Sequence, residues 1–219
     1  MVSAEAPAVL VLIPGTVFHG RYEVVRTLSM GGMGILYEAR DLRTKRRHAL
    51  KLMLPEIVAD PVSRARFALE ATIASEIRSD HIVETSDAGV DPETGAPFLV
   101  MELLSGEDLA QRLERAGPLS FEEAHRLLAQ AALALDKTHR AHIVHRDLKP
   151  ANLFVTRRDD GTPRLVVLDF GIAKVLASSG SATVTGGIGT PLYMAPDRTR
   201  SRGAIRDHTR ICSTTWGST

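Results

Sequence analysis

Short apolar runs, each bounded by glycine or charge, fill the first half of the chain. "RYEVVRTL" from Arg21, "GILYEARD" from Gly34 and "RHALKLML" from Arg47 each predict a strand. "DPVSRARFALEATIASEIR" breaks that rhythm and predicts a helix, with Asp60 as cap and Pro61 at the first helical position. Leu69, Ile73 and Ile77 recur every four residues and form its apolar stripe. "HIVETSDAGVD" and "APFLVMELL" return to strand character around a "PETG" turn. The pattern then turns helical. "SGEDLAQRLERAG" predicts a short helix ended by Gly117, and "SFEEAHRLLAQAALALDKTHRA" a long one opened by a capping box from Ser120 to Glu123. Residues 1–20, rich in Ala, Pro and Gly, read as a flexible leader. The order is a small, mostly β lobe with one main helix, followed by a helical lobe: an α+β, two-lobed architecture.

Between the long helix and the next apolar runs lies "IVHRDLKPANLF", with Asp147, Lys149 and Asn152 spaced to fit neither a helix face nor a strand face. After it, "LFV" and "LVVL" flank the turn-rich "DDGTP", which predicts a hairpin. Cross-strand neighbours in a hairpin lie about 5 Å apart, so Asn152 and Asp169 are expected to meet at its open end. A carboxylate and an amide oxygen there can share a hard cation such as Mg²⁺. The plainer alternative is that Asn152 caps a turn and Asp169 is a solvated strand end. Asp147 and Lys149 on the same loop add a proton acceptor and a cation that could neutralise a transferring phosphoryl group.

Composition changes this picture little. The chain has 219 residues, 44% hydrophobic and 24% charged, with a formal net charge of +1. That balance gives no reason to expect nucleic acid or an anionic membrane as partner. The apolar run "AVLVLI" at 8–13 is far too short to span a bilayer. Cys212 is the only cysteine, which excludes an intrachain disulfide framework and fits a reducing, cytoplasmic setting.

"HRDLKPAN" followed by "DFG" resembles the catalytic and magnesium-binding loops of the protein-kinase family, most closely the bacterial serine/threonine kinases with eukaryotic-like (Hanks-type) domains. The resemblance implies a bilobal kinase fold, with a β-rich N-lobe at 21–102 and a partial helical C-lobe at 103–197. It implies ATP and Mg²⁺ as cofactors and a Ser/Thr-bearing protein as substrate. Asp147 would be the catalytic base, Lys149 the phosphate stabiliser, and Asn152 and Asp169 the metal ligands. "LSMGGMGILYEA" is similar to the glycine-rich loop: Ser29 stands at the family's first glycine, and Gly31 and Gly34 at the other two. "HALK" makes Lys51 the phosphate-binding lysine and Glu70 its helix partner. Without the resemblance, Lys51 reads as a surface lysine and Glu70 as an i,i+4 partner of Arg66. "FLVMELLSGEDL" resembles the hinge, with Met101 behind the adenine, Glu102 to Leu104 bonding the base, and Leu28, Leu36, Ala49 and Phe154 sandwiching the ring. Lys149 two residues after Asp147 points to the Ser/Thr class. "GTPLYMAPD" is similar to the end of the activation segment, with Thr190 at the substrate-positioning threonine. Within 178–190, a segment available for autophosphorylation, Ser178, Ser179, Ser181, Thr183 and Thr185 include a candidate phosphate partner for Arg146.

The likeness thins after Asp197, where the family carries glutamate. "RTRSRGAIRDHTRICSTTWGST" holds five arginines and no helical period, so 198–219 reads as a divergent, disordered tail. The expectation is a C-lobe whose scaffold is incomplete, with the family partners of Leu127, Leu128, Ala131, Leu135 and Ile143 largely missing, and with marginal stability and weak or absent activity. Two rival readings stand beside the kinase: a nucleotide-binding remnant without phosphotransfer, and a small-molecule phosphotransferase of kinase-like fold. The latter group typically lacks "HRDLKP" and "GTPLYMAP".

Overall fold

The computed structural model describes residues 11–31, 34–53, 77–141, 143–145 and 147–169. The helix expected from Asp60, with Glu70 on it, lies outside the described residues. So do Arg146, the 178–190 segment with Thr190, Asp197, and residues 198–219.

The strands predicted in the first half form one antiparallel sheet. It comprises β1 (Val17–Phe18), β2 (Tyr22–Gly31), β3 (Gly34–Asp41), β4 (Arg47–Met53), β5 (Thr85–Val90) and β6 (Pro97–Glu102), in the order β1-β2-β3-β4-β6-β5. Alternation sorts its two faces. Tyr22, Val24, Ile35, Tyr37, Leu50, Leu52, Phe98 and Val100 bury one side as a continuous core. Leu36, Lys51 and Leu99, level with one another in the ladder, stand on the opposite side.

Residues 11–20 do not form a loose leader. Leu12 and Phe18 are buried in the sheet core, the Leu12 N–H donates to the Tyr37 hydroxyl at 3.0 Å, and β1 pairs with β2. Apolar side chains at Leu12 and Phe18 supply the burial that the Pro/Gly-rich composition concealed.

The second half begins with α1 (Leu109–Ala116) and α2 (Phe121–Arg140). Asp108 caps α1 through a reciprocal capping box with Gln111, and Gly117 ends it at φ +75°. On α2, Ser120 accepts from the Glu123 N–H, but the Glu123 carboxylate binds Arg112 at 2.5 Å instead of reaching back. The predicted capping box is therefore half made, because a guanidinium competes for its second arm.

β8 (Leu153–Arg157) and β9 (Pro163–Val167) form the predicted hairpin, and β7 (Glu107–Asp108) adds a third strand to it. Gly161, at φ +81°, closes the turn. Leu127, Ala131 and Ala134 of α2 pack with Leu153, Leu165 and Val167 of the hairpin. Leu127, Ala131 and the partly buried Ile143 thus have partners in the hairpin among the described residues. Leu128, 60% exposed, does not share that core. The hairpin is tied to the first sheet through backbone bonds from Val83 N–H to Val167 and from Val167 N–H to His81. Among the described residues, no helix is long and apolar enough to cross a membrane.

Candidate functional site

The β8–β9 register sets the site. Leu153 faces Val167, so Asn152 falls opposite Leu168, whose N–H donates to the Asn152 carbonyl at 2.9 Å. Asp169 follows one residue later, at the same open end of the hairpin. It is one position past the level pairing expected from sequence, and its φ of +46° turns the chain there. A non-glycine residue in that region costs on the order of 1 kcal/mol or more. Across the cleft, Lys51 of β4 donates from Nζ to Asp169 Oδ1 at 2.6 Å. The bond joins β4 of the first sheet to the second residue past β9 of the hairpin, and fixes the carboxylate against the lysine-bearing face. Lys51 is 11% exposed, unlike an ordinary solvated lysine.

A 3₁₀ turn at Pro150–Asn152 carries the loop into β8. Asn152, buried, donates from Nδ2 to the Asp147 carbonyl at 2.8 Å and more weakly to Asp147 Oδ2 at 3.4 Å. Pinning the amide nitrogen inward leaves the amide oxygen as the group able to ligate. Lys149 Nζ lies 3.2 Å from Asp147 Oδ2. Two lysine–carboxylate pairs, Lys51–Asp169 and Lys149–Asp147, therefore converge on the end of one hairpin. The oxygens of Asn152 and Asp169 are the donor type a hard divalent cation takes, and two protein ligands suit Mg²⁺, which keeps most of its water.

His145 holds the loop to the hairpin. Its Nε2 lies 2.8 Å from the Leu168 carbonyl, and its Nδ1 accepts from the Asp147 N–H at 3.3 Å. That pattern assigns the neutral Nε2–H tautomer. Burial lowers the imidazole pKa from its ordinary value, in the same direction.

A small apolar cluster lies beside these polar groups. Ala49, Val83, Met101 and Val166 are buried together, with Leu36, Leu103, Leu104 and Leu168 packed against them. The sequence motifs point to Leu36, Ala49, Met101 and Leu104 but not to Val83, Val166 or Leu168. For Val166 and Leu168 a signal exists, since both sit within the apolar run that ends at Asp169. Phe154, half-buried, stands opposite Val166 in the hairpin ladder. Leu28 is half-buried near the far end of β2 and lies outside this cluster. The Glu102 N–H is already bonded to the Glu84 carbonyl at 2.9 Å, and its carboxylate accepts from Arg164 at 3.4 Å. A base at this edge would therefore be met by Leu104 or by the Glu102 carbonyl, not by the Glu102 N–H.

The three positions of the glycine-rich turn differ in what they demand. Ser29 pairs level with Leu36 in the ladder and has no positive φ, so it carries none of the strain a glycine substitute could bring. Space is open around Gly31. Gly34 is required: at φ +153°, a Cβ there would collide with the Leu52 carbonyl oxygen.

Residues 22–211 match the protein kinase domain family, a match that reaches beyond the motifs into the arginine-rich stretch. The serine/threonine-protein kinase PknH of Mycobacterium bovis is 40% identical over 185 residues, covering 84% of this chain and 30% of that protein. The serine/threonine-protein kinase pkn3 of Myxococcus xanthus is 38% identical over 192 residues, covering 86% of this chain and 35% of that protein. The chain thus spans about a third of the length of these curated relatives. The crystal structure of the Mycobacterium tuberculosis PknI kinase domain superposes with a TM-score of 0.66 at 30% identity, covering 78% of this chain and 71% of that one.

Proposed function

Because this chain belongs to the protein kinase family, we propose that it binds ATP with Mg²⁺ and transfers the γ-phosphoryl group to a serine or threonine hydroxyl of a protein. The observation that carries this reading is the meeting of Lys51 with Asp169 across the cleft, beside an Asp147 held by Asn152 and Lys149. Adenine is taken between Leu28, Leu36 and Ala49 above and Phe154 and Val166 below, with Met101 behind it and Leu104 at its edge. Ser29, Gly31 and Gly34 form the turn over the phosphates.

Asn152 and Asp169 would hold Mg²⁺, which when bound neutralises and orients the phosphate oxygens. Lys51 positions the phosphates, with Glu70 as its further partner. Asp147 orients the substrate hydroxyl and accepts its proton as the hydroxyl oxygen bonds to the γ-phosphorus. The bond from that phosphorus to the β-bridging oxygen breaks, and ADP leaves. Lys149 balances charge on the transferring group. The segment at 178–190 is the proposed site of autophosphorylation, and the setting is the reducing cytoplasm, supported by a single cysteine.

Calorimetric titration with ATP tests the reading. Binding is expected to strengthen clearly on adding Mg²⁺. Absence of ATP binding with Mg²⁺ present, by a chain that unfolds cooperatively, would overturn it.

A further inference from the structure

On the cleft-side face of the first sheet, a carboxylate is covered by two arginines instead of by core. Glu38 on β3 is 2% exposed. Its Oε2 accepts from Arg26 Nε of β2 at 2.7 Å, and its Oε1 from Arg47 Nη1 of β4 at 2.5 Å. The two arginine side chains are 63% and 64% exposed, so a buried carboxylate is held by guanidinium groups on side chains that remain largely at the surface. β2 and β4 are not neighbours in the sheet, and Glu38 on the strand between them ties one to the other.

The place of this tie is informative. Glu38 is level with Arg26 on one side and Ala49 on the other, two residues beyond Leu36 on the same face. The β2–β3 ladder slips twice, between Val24 and Arg26 and again between Thr27 and Ser29. Each slip leaves backbone groups locally unpaired and bends the strand. Arg26 sits between the two slips, midway along the β2–β3 hairpin whose last pair is Gly31 with Gly34. The Glu38 carboxylate supplies side-chain bonds where backbone pairing is interrupted.

We infer that Glu38 is a positioning residue for nucleotide binding: through Arg26 and Arg47 it fixes the middle of the β2–β3 hairpin, holding Leu28 and Leu36 in place above the base. This rests on the nucleotide site proposed above. The two arms of the experiment below separate the clamp from that site.

The full 219-residue chain and three variants would be compared: Glu38→Gln, Glu38→Leu, and Arg26→Met with Arg47→Met. Hydrogen exchange without nucleotide reads the clamp alone. It should accelerate across 26–31 and 34–36 in every variant and stay unchanged across 97–102. Calorimetry with ADP and Mg²⁺ should then show affinity reduced about three- to tenfold, the scale of one or two partly exposed ion pairs, at an unfolding midpoint close to wild type in the two Glu38 variants. The double arginine variant, which leaves the buried carboxylate unpaired, should also unfold earlier. Unchanged exchange over the hairpin would overturn the clamp. Faster exchange with wild-type ADP affinity would overturn its role in binding. Acceleration spread evenly over the sheet with a matching loss of stability would reduce Glu38 to a general structural residue. A wild-type chain that binds no ADP would instead refute the nucleotide reading, with the exchange result still deciding the clamp.

Discussion

Replacing Asn152 by aspartate exchanges a donor for an acceptor at a buried point where the geometry leaves little freedom. The Asn152 amide nitrogen lies 2.8 Å from the Asp147 carbonyl oxygen and 3.4 Å from Asp147 Oδ2. Both residues are 6% exposed. In the aspartate variant an oxygen faces two oxygens, one of them charged. Leaving a buried carbonyl without its donor costs about 1–3 kcal/mol, and like-charge repulsion adds to it. For a chain of this size the unfolding midpoint should drop by about 3–10 °C without metal. Asn152→Ala loses the same donor but adds no charge, so it should fall less. Mg²⁺ with ADP distinguishes the two variants again: aspartate keeps a ligating oxygen and should regain part of its loss, whereas alanine should not. Thermal unfolding followed with and without Mg²⁺–ADP measures all four quantities. An aspartate variant as stable as wild type without metal, or an alanine variant that regains as much as aspartate, would refute the placement of this side chain.

Gly34→Ala should destabilise the chain by more than about 1 kcal/mol, because its Cβ would strike the Leu52 carbonyl at a backbone angle that side chains avoid. Gly31→Ala, with open space around it, should be nearly silent, and denaturant titration of the pair checks the contrast. Asp41, 1% exposed, is held by Arg21 at 2.8 Å and by the Arg43 N–H, chiefly the guanidinium bond lowering its pKa from the ordinary value. Its folded pKa lies below its unfolded one of about 3.9, so its stabilisation is complete above that pH and is lost as the pH falls toward the folded pKa. The stability gap between wild type and Asp41→Asn, measured by urea unfolding, should therefore narrow on going from about pH 6 to about pH 3.

The strands of the first sheet were legible because period-two alternation in β2, β3 and β4 coincides with glycines and charges at their ends. The hairpin was legible for a related reason: "DDGTP" is turn chemistry between two apolar runs, and the register it sets brings Asn152 and Asp169 to one end. What stayed hidden depended on contacts distant in sequence. Leu12 and Phe18 sit in a stretch whose composition suggests a loose end, yet the sheet core takes both. Ser120 and Glu123 spell a capping box, but Arg112 claims the glutamate. Asp108 and Gln111 form a full box inside the segment read simply as a short helix, because the cap position was not resolved by the apolar pattern. In the site, Asp147, Lys149 and Asn152 were found as a loop of mixed polar chemistry, while Val83 joins the apolar cluster only through backbone pairing with β9. Glu38 carries no motif, and its two arginines are brought to it by strand pairing alone.

Phosphoryl transfer from labelled ATP to a Ser/Thr peptide, by wild type and by Asp147→Asn, tests the central claim most directly. Asp147 is the only carboxylate in the 143–152 loop, held in place by Asn152 and Lys149. As the base, its loss should reduce the transfer rate by about 10²–10⁴, with ATP affinity little changed. Equal transfer by the two proteins, or no transfer by a wild type that binds ATP and Mg²⁺, would contradict the account.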